Sequence, residues 1–167
     1  MARIDAGGVQ PQRAWTTPSE IVEAALSHTA SAIAARHLNI DAGDERAVEI
    51  DPRLTATALA HLLENAARYA PDGSIDVRAW TDEEGLRLQV RDNGPGLQPS
   101  EMDRLFEPFY RGAGIRHRIP GTGMGLAITR GLLAAQHGRI WAENASPRGA
   151  CFSIAVPARV RAVAPVD

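Results

Sequence analysis

Residues 75–96 read IDVRAWTDEEGLRLQVRDNGPG and carry the clearest structural pattern in the chain. Apolar and polar residues alternate over 75–79 and again over 86–90, and residues 82–85 between these runs are acidic or glycine. A period of two is typical of strands that bury one face, so the two runs predict a β-hairpin. The stretch then closes on Asp-Asn-Gly-Pro-Gly, directly after the second predicted strand.

Asp92 keeps the phase of the apolar residues in that second strand, so its side chain is expected on the buried face. A buried carboxylate needs hydrogen-bond donors. The exocyclic amino group of adenine is one suitable donor, and Gly94 and Gly96 would let a ring approach the backbone. The alternative is an ordinary Asp-Asn-Gly turn. Two observations argue against such a turn: Asp92 keeps the phase of the strand, and no further strand follows at hairpin distance.

Helices and strands alternate on both sides of this hairpin. Thr17-Pro18-Ser19-Glu20 is a capping box for a helix expected to reach about Arg36, and Asp51-Pro52 starts a second helix that ends at 71–73. The other expected elements are strands at 13–16, 38–41 and 47–50, a short acidic helix at 100–105, a helix from Gly125 with its stop at Gly138, and a hairpin pairing 139–144 with 150–156. These elements predict an α/β two-layer sandwich, with helices packed on one face of a mixed, mainly antiparallel sheet.

Composition excludes several classes of protein. The chain has 167 residues, of which 44% are hydrophobic and 23% charged, as is ordinary for a soluble globular domain. Its net charge of −2 argues against chain-wide attraction to nucleic acid. The single cysteine, Cys151, excludes a disulfide framework. No apolar stretch is long enough to span a bilayer and no signal-peptide pattern is present, so a cytoplasmic location is expected.

The second predicted helix carries a polar face within residues 61–69, HLLENAARY. His61, Asn65 and Arg68 share one side at helical spacing, with Glu64 and Tyr69 beside them. An amide and a base on one face suit a metal–phosphate site. A solvated helix face is the alternative, and helical spacing alone favours it.

Two other segments have the composition of an anion site. Residues 121–126, GTGMGL, directly precede a helix, where free N–H groups and the helix dipole attract anions. They match neither a P-loop nor a Rossmann fingerprint, and a mobile linker is the alternative. Residues 111–118 contain three arginines and a histidine without any acid, so they are the best local candidate for phosphate contacts. A solvated loop is the alternative here.

Taken in order, residues 61–69, 92–96, 106–109 and 121–125 resemble the N, G1, F and G2 boxes of one family. That family is the ATP-binding catalytic domain of sensor histidine kinases, within the Bergerat-fold superfamily shared with gyrase, the chaperone Hsp90 and MutL. The resemblance extends over about residues 15–157. Residues 1–8 and 149–152 also resemble, more narrowly, the potassium-responsive KdpD-type sensor kinases.

The resemblance implies ATP and Mg²⁺ as cofactors and a role for each box. Asp92 would bind the adenine amino group, and Asn65 would bind the Mg²⁺ that bridges the phosphates. The basic segment 111–118 would form a lid over the phosphates, hinged at the glycines that follow, with Phe106 and Phe109 anchoring its start. The remaining nucleotide contacts would come from Arg68, Tyr69, Gly94, Gly96, Phe109, Arg111, Arg118, Gly121, Thr122, Gly123, Met124, Gly125 and Leu126.

His61 departs from the family pattern. It lies four residues before Asn65, where these kinases usually have a second asparagine and the ATPase branch has a glutamate that acts as general base. The absence of a carboxylate there argues against a gyrase-type hydrolase. His61 is therefore expected to join Asn65 at the metal, although Mg²⁺ prefers oxygen ligands. Glu64 is expected to reach the metal through a water molecule or to contact the metal ligands without touching the metal. His61, Glu64 and Asn65 are therefore the candidate catalytic residues.

The phosphoacceptor is the second departure. None of the five histidines, His28, His37, His61, His117 and His137, stands in the sequence context of a phosphoacceptor. The chain therefore resembles the catalytic half of a kinase without its acceptor. Residues 1–11 are expected to be the remnant of a dimerisation helix and linker, 12–158 the ATP-binding kinase domain, and 159–167 a flexible tail.

The expected reaction is transfer of the γ-phosphoryl group of Mg-ATP to a histidine on a separate dimerisation domain. A response regulator is the expected downstream partner, the full-length protein is expected to be a membrane-attached homodimer, and no nucleic acid is expected to bind. Two alternatives stay open. One is a serine kinase of the anti-sigma type, and the other is a nucleotide-binding module without transfer activity.

Overall fold

The computed structural model describes residues 10–70, 73–102, 104–108 and 125–162. Helices and strands alternate along these ranges. In chain order the elements are β1 (Ala14–Thr16), α1 (Pro18–His28), α2 (Ala30–Ile33), β2 (His37–Asp41), β3 (Ala47–Ile50), α3 (Pro52–Tyr69), β4 (Ser74–Thr81), β5 (Gly85–Arg91), a 3-10 helix (Pro99–Glu101), α4 (Gly125–Ala134), β6 (Arg139–Asn144), β7 (Ala150–Pro157) and β8 (Val160–Arg161).

The main sheet has five strands in the order β2-β4-β5-β7-β6. Only the β2–β4 pair is parallel among these described strands. The predicted hairpin forms with Val77 opposite Val90. Leu59, Leu62 and Leu63 of α3 pack into one core with the inward-facing residues of β4, β5 and β7. The structure confirms the predicted two-layer sandwich with a mixed, mainly antiparallel sheet.

Both predicted helix starts are confirmed. The Thr17 hydroxyl accepts a hydrogen bond from the backbone N–H of Glu20, and Asp51 Oδ1 accepts from the N–H groups of Arg53 and Leu54 at 3.0 Å each. These side chains satisfy N–H groups that have no partner within the helix. The cap at Asp51 matters for the site, because it sets the start of α3.

The prediction of a single first helix reaching Arg36 is wrong. Helix α1 ends at His28, and the short α2 begins at Ala30. The hydroxyl of Thr29 donates to the carbonyl of Ala25 at 2.9 Å, a local bond that competes with the helical pattern. The predicted helix at 100–105 is also shorter than expected, because the regular part is the single 3-10 turn Pro99–Glu101.

The chain stays ordered past the predicted boundary at 158. Strand β8 pairs with β3, with Val160 opposite Val48, and forms a small antiparallel sheet in the order β1-β3-β8. Arg161 lies over the ring of Trp15 at 4.2 Å. Val160–Arg161 of the expected tail thus lie in a paired strand, and the domain boundary itself stays a prediction. A two-residue strand has too little sequence pattern to be predicted.

The end of α4 also differs in detail from the expectation of a stop at Gly138. His137, with φ +62°, takes the left-handed position that usually holds glycine, and Gly138 N donates to Leu133 O at 2.7 Å. In the described part of the chain, no helix combines the length and apolar character needed to cross a membrane.

Candidate functional site

Asp92 lies directly after β5 with its side chain buried, as the strand phase predicts. Its Oδ1 accepts hydrogen bonds from the backbone N–H groups of Gly94 at 2.9 Å and Ala150 at 3.2 Å. Within the described residues, no hydrogen bond is made by Oδ2. The fold thus orients a buried carboxylate through one oxygen and leaves the other for a ligand.

The glycines after Asp92 are required by packing within the protein. A Cβ at Gly94 would lie 2.9 Å from the Cβ of Ala70 at the end of α3. Gly96 has φ +83°, and a Cβ there would lie 2.8 Å from Asn144 Oδ1. The sequence interpretation assigned both glycines to the approach of a ring. The structure supplies a second reason, because the loop itself presses against α3 and β6.

The turn between β6 and β7 braces this loop, and sequence reasoning missed that role. Asn144 accepts from Leu97 N at 2.6 Å through Oδ1 and donates to Leu97 O at 2.9 Å through Nδ2. Arg148 Nε donates to the carbonyl of Gly94 at 3.3 Å. Gly149 has φ +97°, so the turn depends on glycine there. Only the glycine gave a signal in the sequence, since contacts across about fifty residues leave no local pattern.

The predicted polar face of α3 is partly buried in the structure. His61, Glu64 and Asn65 are half-buried and Arg68 is exposed. Glu64 and Arg68 line a surface pocket together with Ala32 and Ala67. Tyr69, predicted to lie along the nucleotide, is buried. A freely solvated face, the alternative in the sequence interpretation, does not describe the three half-buried side chains.

His61 contacts α4. Its Nδ1 lies 3.1 Å from the hydroxyl oxygen of Thr129, which is fully buried. Burial lowers the pKa of His61 below its ordinary value, and the negative charge of Glu64 partly opposes this. The ring is therefore favoured in its neutral form, and Nε2 is the atom still available to a ligand.

The fit of Mg²⁺ depends chiefly on Asn65. Among the described residues its buried Nδ2 has no hydrogen-bond partner, and an orphaned donor of this kind suits a ligand oxygen such as that of a phosphate, which would leave the amide oxygen for the metal. The described residues hold no group of three or more His, Cys, Asp or Glu side chains that would bind a metal alone. The carboxamide oxygen of Asn65 fits Mg²⁺, which commonly takes one or two protein oxygens and completes its shell with phosphates and water.

Most of the predicted lid lies outside the described residues: Phe109, Arg111, Arg118, Gly121, Thr122, Gly123 and Met124. The structure describes the two ends of this segment, and their roles stay a prediction. Phe106 packs edge-on against Phe152, with ring centroids 6.5 Å apart. Gly125 and Leu126 begin α4, and Leu126 packs against the core. A Cβ at Gly125 would have no described atom within 4 Å, so packing does not require this glycine.

Comparisons with known proteins agree with the four boxes. The family model of histidine kinase-, DNA gyrase B- and HSP90-like ATPases matches residues 50–160. Sensor protein KdpD of Escherichia coli (strain K12) is 36% identical over 159 residues, covering 94% of this chain and 18% of that protein. Sensor histidine kinase WalK of Bacillus subtilis (strain 168) is 35% identical over 116 residues, covering 66% of this chain and 19% of that protein. The chain thus spans less than a fifth of either relative.

Solved structures share the fold. The mycobacterial sensor histidine kinase MprB superposes with a TM-score of 0.75 at 25% identity, covering 89% of this chain and 99% of that one. Full-length ShkA in complex with AMPPNP gives a TM-score of 0.73 at 22% identity, covering 95% of this chain and 34% of that one. Since the family model matches about two thirds of the sequence, the chain belongs to the family of histidine kinase-, DNA gyrase B- and HSP90-like ATPases.

Proposed function

We propose that this chain is the ATP-binding catalytic domain of a two-component sensor histidine kinase. The observation that carries the proposal is Asp92, a buried carboxylate fixed through Oδ1 by two backbone amides. An oriented acceptor of this kind suits the amino group of adenine, because a hydrogen bond to a charged group is stronger than a neutral one. The order of the four boxes and the family membership support it.

The adenine end of the proposed site is formed by the loop after β5. Asp92 Oδ2 accepts the hydrogen bond from the adenine amino group. Gly94 and Gly96 form the wall of the pocket, and Asn144 keeps the loop in place through its two bonds to Leu97. A rigid wall of this kind favours one base. A base that displaced the loop would leave the buried carboxylate of Asp92 without a hydrogen-bond partner.

The phosphate end is formed by α3 and the start of α4. Asn65 would hold Mg²⁺ through its amide oxygen, Glu64 would act through water or on the ligands, and the backbone N–H groups that begin α4 at Gly125 would bind the phosphates. A bound Mg²⁺ would supply positive charge that neutralises the phosphates. His61 offers only Nε2 to the metal, because its Nδ1 contacts Thr129. The predicted lid arginines, Arg111 and Arg118, complete the proposed site.

The reaction needs no nucleophile from this chain. An imidazole on a separate domain attacks the γ-phosphorus in line, and these residues position the nucleotide and stabilise charge. His61 is unsuited to be that acceptor, because it is half-buried and Nδ1 is engaged. The proposed partners are the histidine-bearing dimerisation domain of the same kinase and a downstream response regulator. The whole protein is proposed to be a membrane-attached homodimer with this domain in the cytoplasm.

A transfer assay tests the proposal. The chain is mixed with Mg-ATP labelled at the γ-phosphate and with a histidine-bearing dimerisation domain from a sensor kinase relative. We expect acid-labile label on that domain, and we expect Asp92→Asn to abolish it. Asp76→Asn makes the same charge change on β4, where Asp76 bonds Asn39 at 2.7 Å, and should retain transfer.

Other outcomes would contradict the proposal in distinct ways. Acid-stable phosphoserine on a partner protein would identify a serine kinase of the anti-sigma type. Tight ATP binding without transfer to any supplied histidine domain would indicate a nucleotide-binding module. Equal transfer by Asp92→Asn and the unchanged chain would remove the adenine assignment.

A further inference from the structure

Helices α3 and α4 are joined by a chain of two hydrogen bonds at His61. His61 Nδ1 lies 3.1 Å from Thr129 Oγ1, and the same hydroxyl donates to the backbone carbonyl of Gly125 at 2.8 Å. Thr129 is fully buried. The chain of bonds therefore runs from the polar face of α3 through a buried hydroxyl to the first residue of α4.

The two bonds together favour one tautomer of His61. A threonine hydroxyl has one hydrogen to donate, and Thr129 gives it to the carbonyl of Gly125. The hydroxyl can therefore only accept from His61, so the proton of the neutral ring is on Nδ1. Nε2 then carries the lone pair. Burial of the ring, which lowers its pKa, favours this neutral form.

A second polar contact joins the other ends of the two helices. Gln136, just after α4, donates through Nε2 to Thr55 Oγ1 at 3.1 Å and accepts from Asp51 N at 2.8 Å. Its side chain is buried. Since His61 pairs with Thr129 and the earlier Thr55 pairs with the later Gln136, the helices run antiparallel. Two contacts set well apart along the pair prevent α4 from sliding along α3.

The antiparallel arrangement places Asn65 and Gly125, which belong to the proposed phosphate end, at the same height along the helix pair. Asn65 lies one turn after His61 on α3, and Gly125 lies one turn before Thr129 on α4. One turn forward on one helix is one turn back on its antiparallel neighbour. The contact between His61 and Thr129 therefore sits one turn below the level shared by Asn65 and Gly125.

We propose that His61 is a positioning residue, which holds the start of α4 in register with Asn65 through Thr129. The inference rests on the proposed function, because that function assigns Asn65 and the start of α4 to the phosphates and their Mg²⁺. His61 acts through Nδ1–H, the Thr129 hydroxyl and the Gly125 carbonyl, so its effect reaches the nucleotide by fixing backbone N–H groups. A threonine bonded to the carbonyl four residues back is common in helices by itself. The added partner on α3 is what couples the two helices.

The tautomer is the first test, and it does not depend on nucleotide. Two-bond ¹H–¹⁵N correlation spectra of the full chain are recorded well above pH 6.5, the usual pKa of histidine, with His61 assigned from the signals lost in His61→Gln. We expect a protonated Nδ1 and a bare Nε2 in the unchanged chain and in Thr129→Ser. Thr129→Val has no hydroxyl and should lose the preference for Nδ1–H. A protonated Nε2 in the unchanged chain, or an unaltered ring in Thr129→Val, overturns the proposal.

Nucleotide affinity is the second test, and it separates positioning from general stability. Calorimetry compares Mg-ATP, which reaches both ends of the site, with adenosine, which reaches only the purine end. We expect Thr129→Val to weaken Mg-ATP about fivefold to tenfold, the scale of one hydrogen bond, and to leave adenosine within about twofold. Thr129→Ser should behave as the unchanged chain, and Thr57→Val on α3 controls for a threonine-to-valine change elsewhere.

The two tests fail in different ways. Equal losses of Mg-ATP and adenosine in Thr129→Val would mean that the contact only stabilises the fold, which overturns the positioning role. If the unchanged chain bound neither ligand, the proposed function would fail, and the positioning role with it. The spectra would then still report whether the bond between His61 and Thr129 exists.

Discussion

The two ends of the candidate site are built from different parts of the protein. The purine end, formed by residues 92–97 and the β6–β7 turn at 145–149 with Asn144, consists largely of backbone under close packing. The proposed phosphate end, formed by the polar face of α3 and the first turn of α4, consists largely of side chains in the described part of the chain. Asp92 is held by two backbone amides, whereas the buried amide nitrogen of Asn65 has no partner among the described residues.

The glycines show what this difference means. A Cβ at Gly149 would overlap the backbone carbonyl of Asp92, but a Cβ at Gly125 would have no described atom within 4 Å. Glycine-rich stretches look alike in the sequence, yet one is required by packing and the other is not. The purine end is therefore predicted to be rigid, and substitutions there should change the free energy of unfolding. Substitutions at the phosphate end should instead change ligand affinity.

The largest effect is expected from Gly149→Ala at the purine end. Its φ of +97° disfavours any side chain, and the new methyl group would displace the loop that carries Asp92. Strain and overpacking together should lower the free energy of unfolding by about 4 kcal/mol. Urea denaturation measures this change. Gly43→Ala, at an exposed glycine with open space around it, is the matched control and should change stability by less than about 0.5 kcal/mol. Equal stability of both variants would contradict the close packing.

A smaller effect, of a different kind, is expected from Asn65→Ala at the phosphate end. Removing the proposed Mg²⁺ ligand should reduce the Mg²⁺-dependent part of ATP affinity at least about tenfold, since each tenfold corresponds to about 1.4 kcal/mol. Stability should stay equal or rise, because the variant removes an unpaired buried amide. Calorimetry with and without Mg²⁺ measures the first quantity, and thermal unfolding the second. An unchanged dependence on Mg²⁺ would contradict the assignment.

The smallest effect is expected from Gly125→Ala. Alanine favours a helix more than glycine does, and a methyl group at Gly125 would meet no atom of the described residues within 4 Å. At the first turn of α4 we expect a gain of about 0.5 kcal/mol, seen as a rise in Tm of about 1–2 °C. A loss of stability as large as that of Gly149→Ala would erase the contrast between the two ends.

Local sequence patterns predicted much of the fold. The alternation in β4 and β5 is a property of neighbouring residues, and so are the caps at Thr17 and Asp51. The burial of Asp92 followed from the same alternation. The prediction failed at Thr29, where a side-chain hydrogen bond competes with the regular helical pattern. A continuous helix and an interrupted one have similar energies there, and the sequence pattern indicates only the continuous helix.

The parts of the site that could not be predicted depend on contacts between distant segments. Asn144 bonds the backbone of Leu97, and Thr129 bonds His61, at separations of 47 and 68 residues. His61 was recognised only as a departure from the family pattern and was assigned to the metal. Its partner on α4 has no local signature, because a threonine in a helix is unremarkable until the fold places a histidine beside it.

Calorimetric titration of the unchanged chain and of Asp92→Asn with Mg-ATP and Mg-GTP tests the central claim, that Asp92 reads the amino group of adenine. Guanine presents a carbonyl oxygen where adenine presents that amino group, so the Asp92 carboxylate should repel it. We predict that the unchanged chain binds ATP about 100-fold more tightly than GTP, and that Asp92→Asn loses most of this preference, since its amide presents a donor to the base. Equal affinities for the two nucleotides, or an undiminished preference for ATP in Asp92→Asn, would contradict the account.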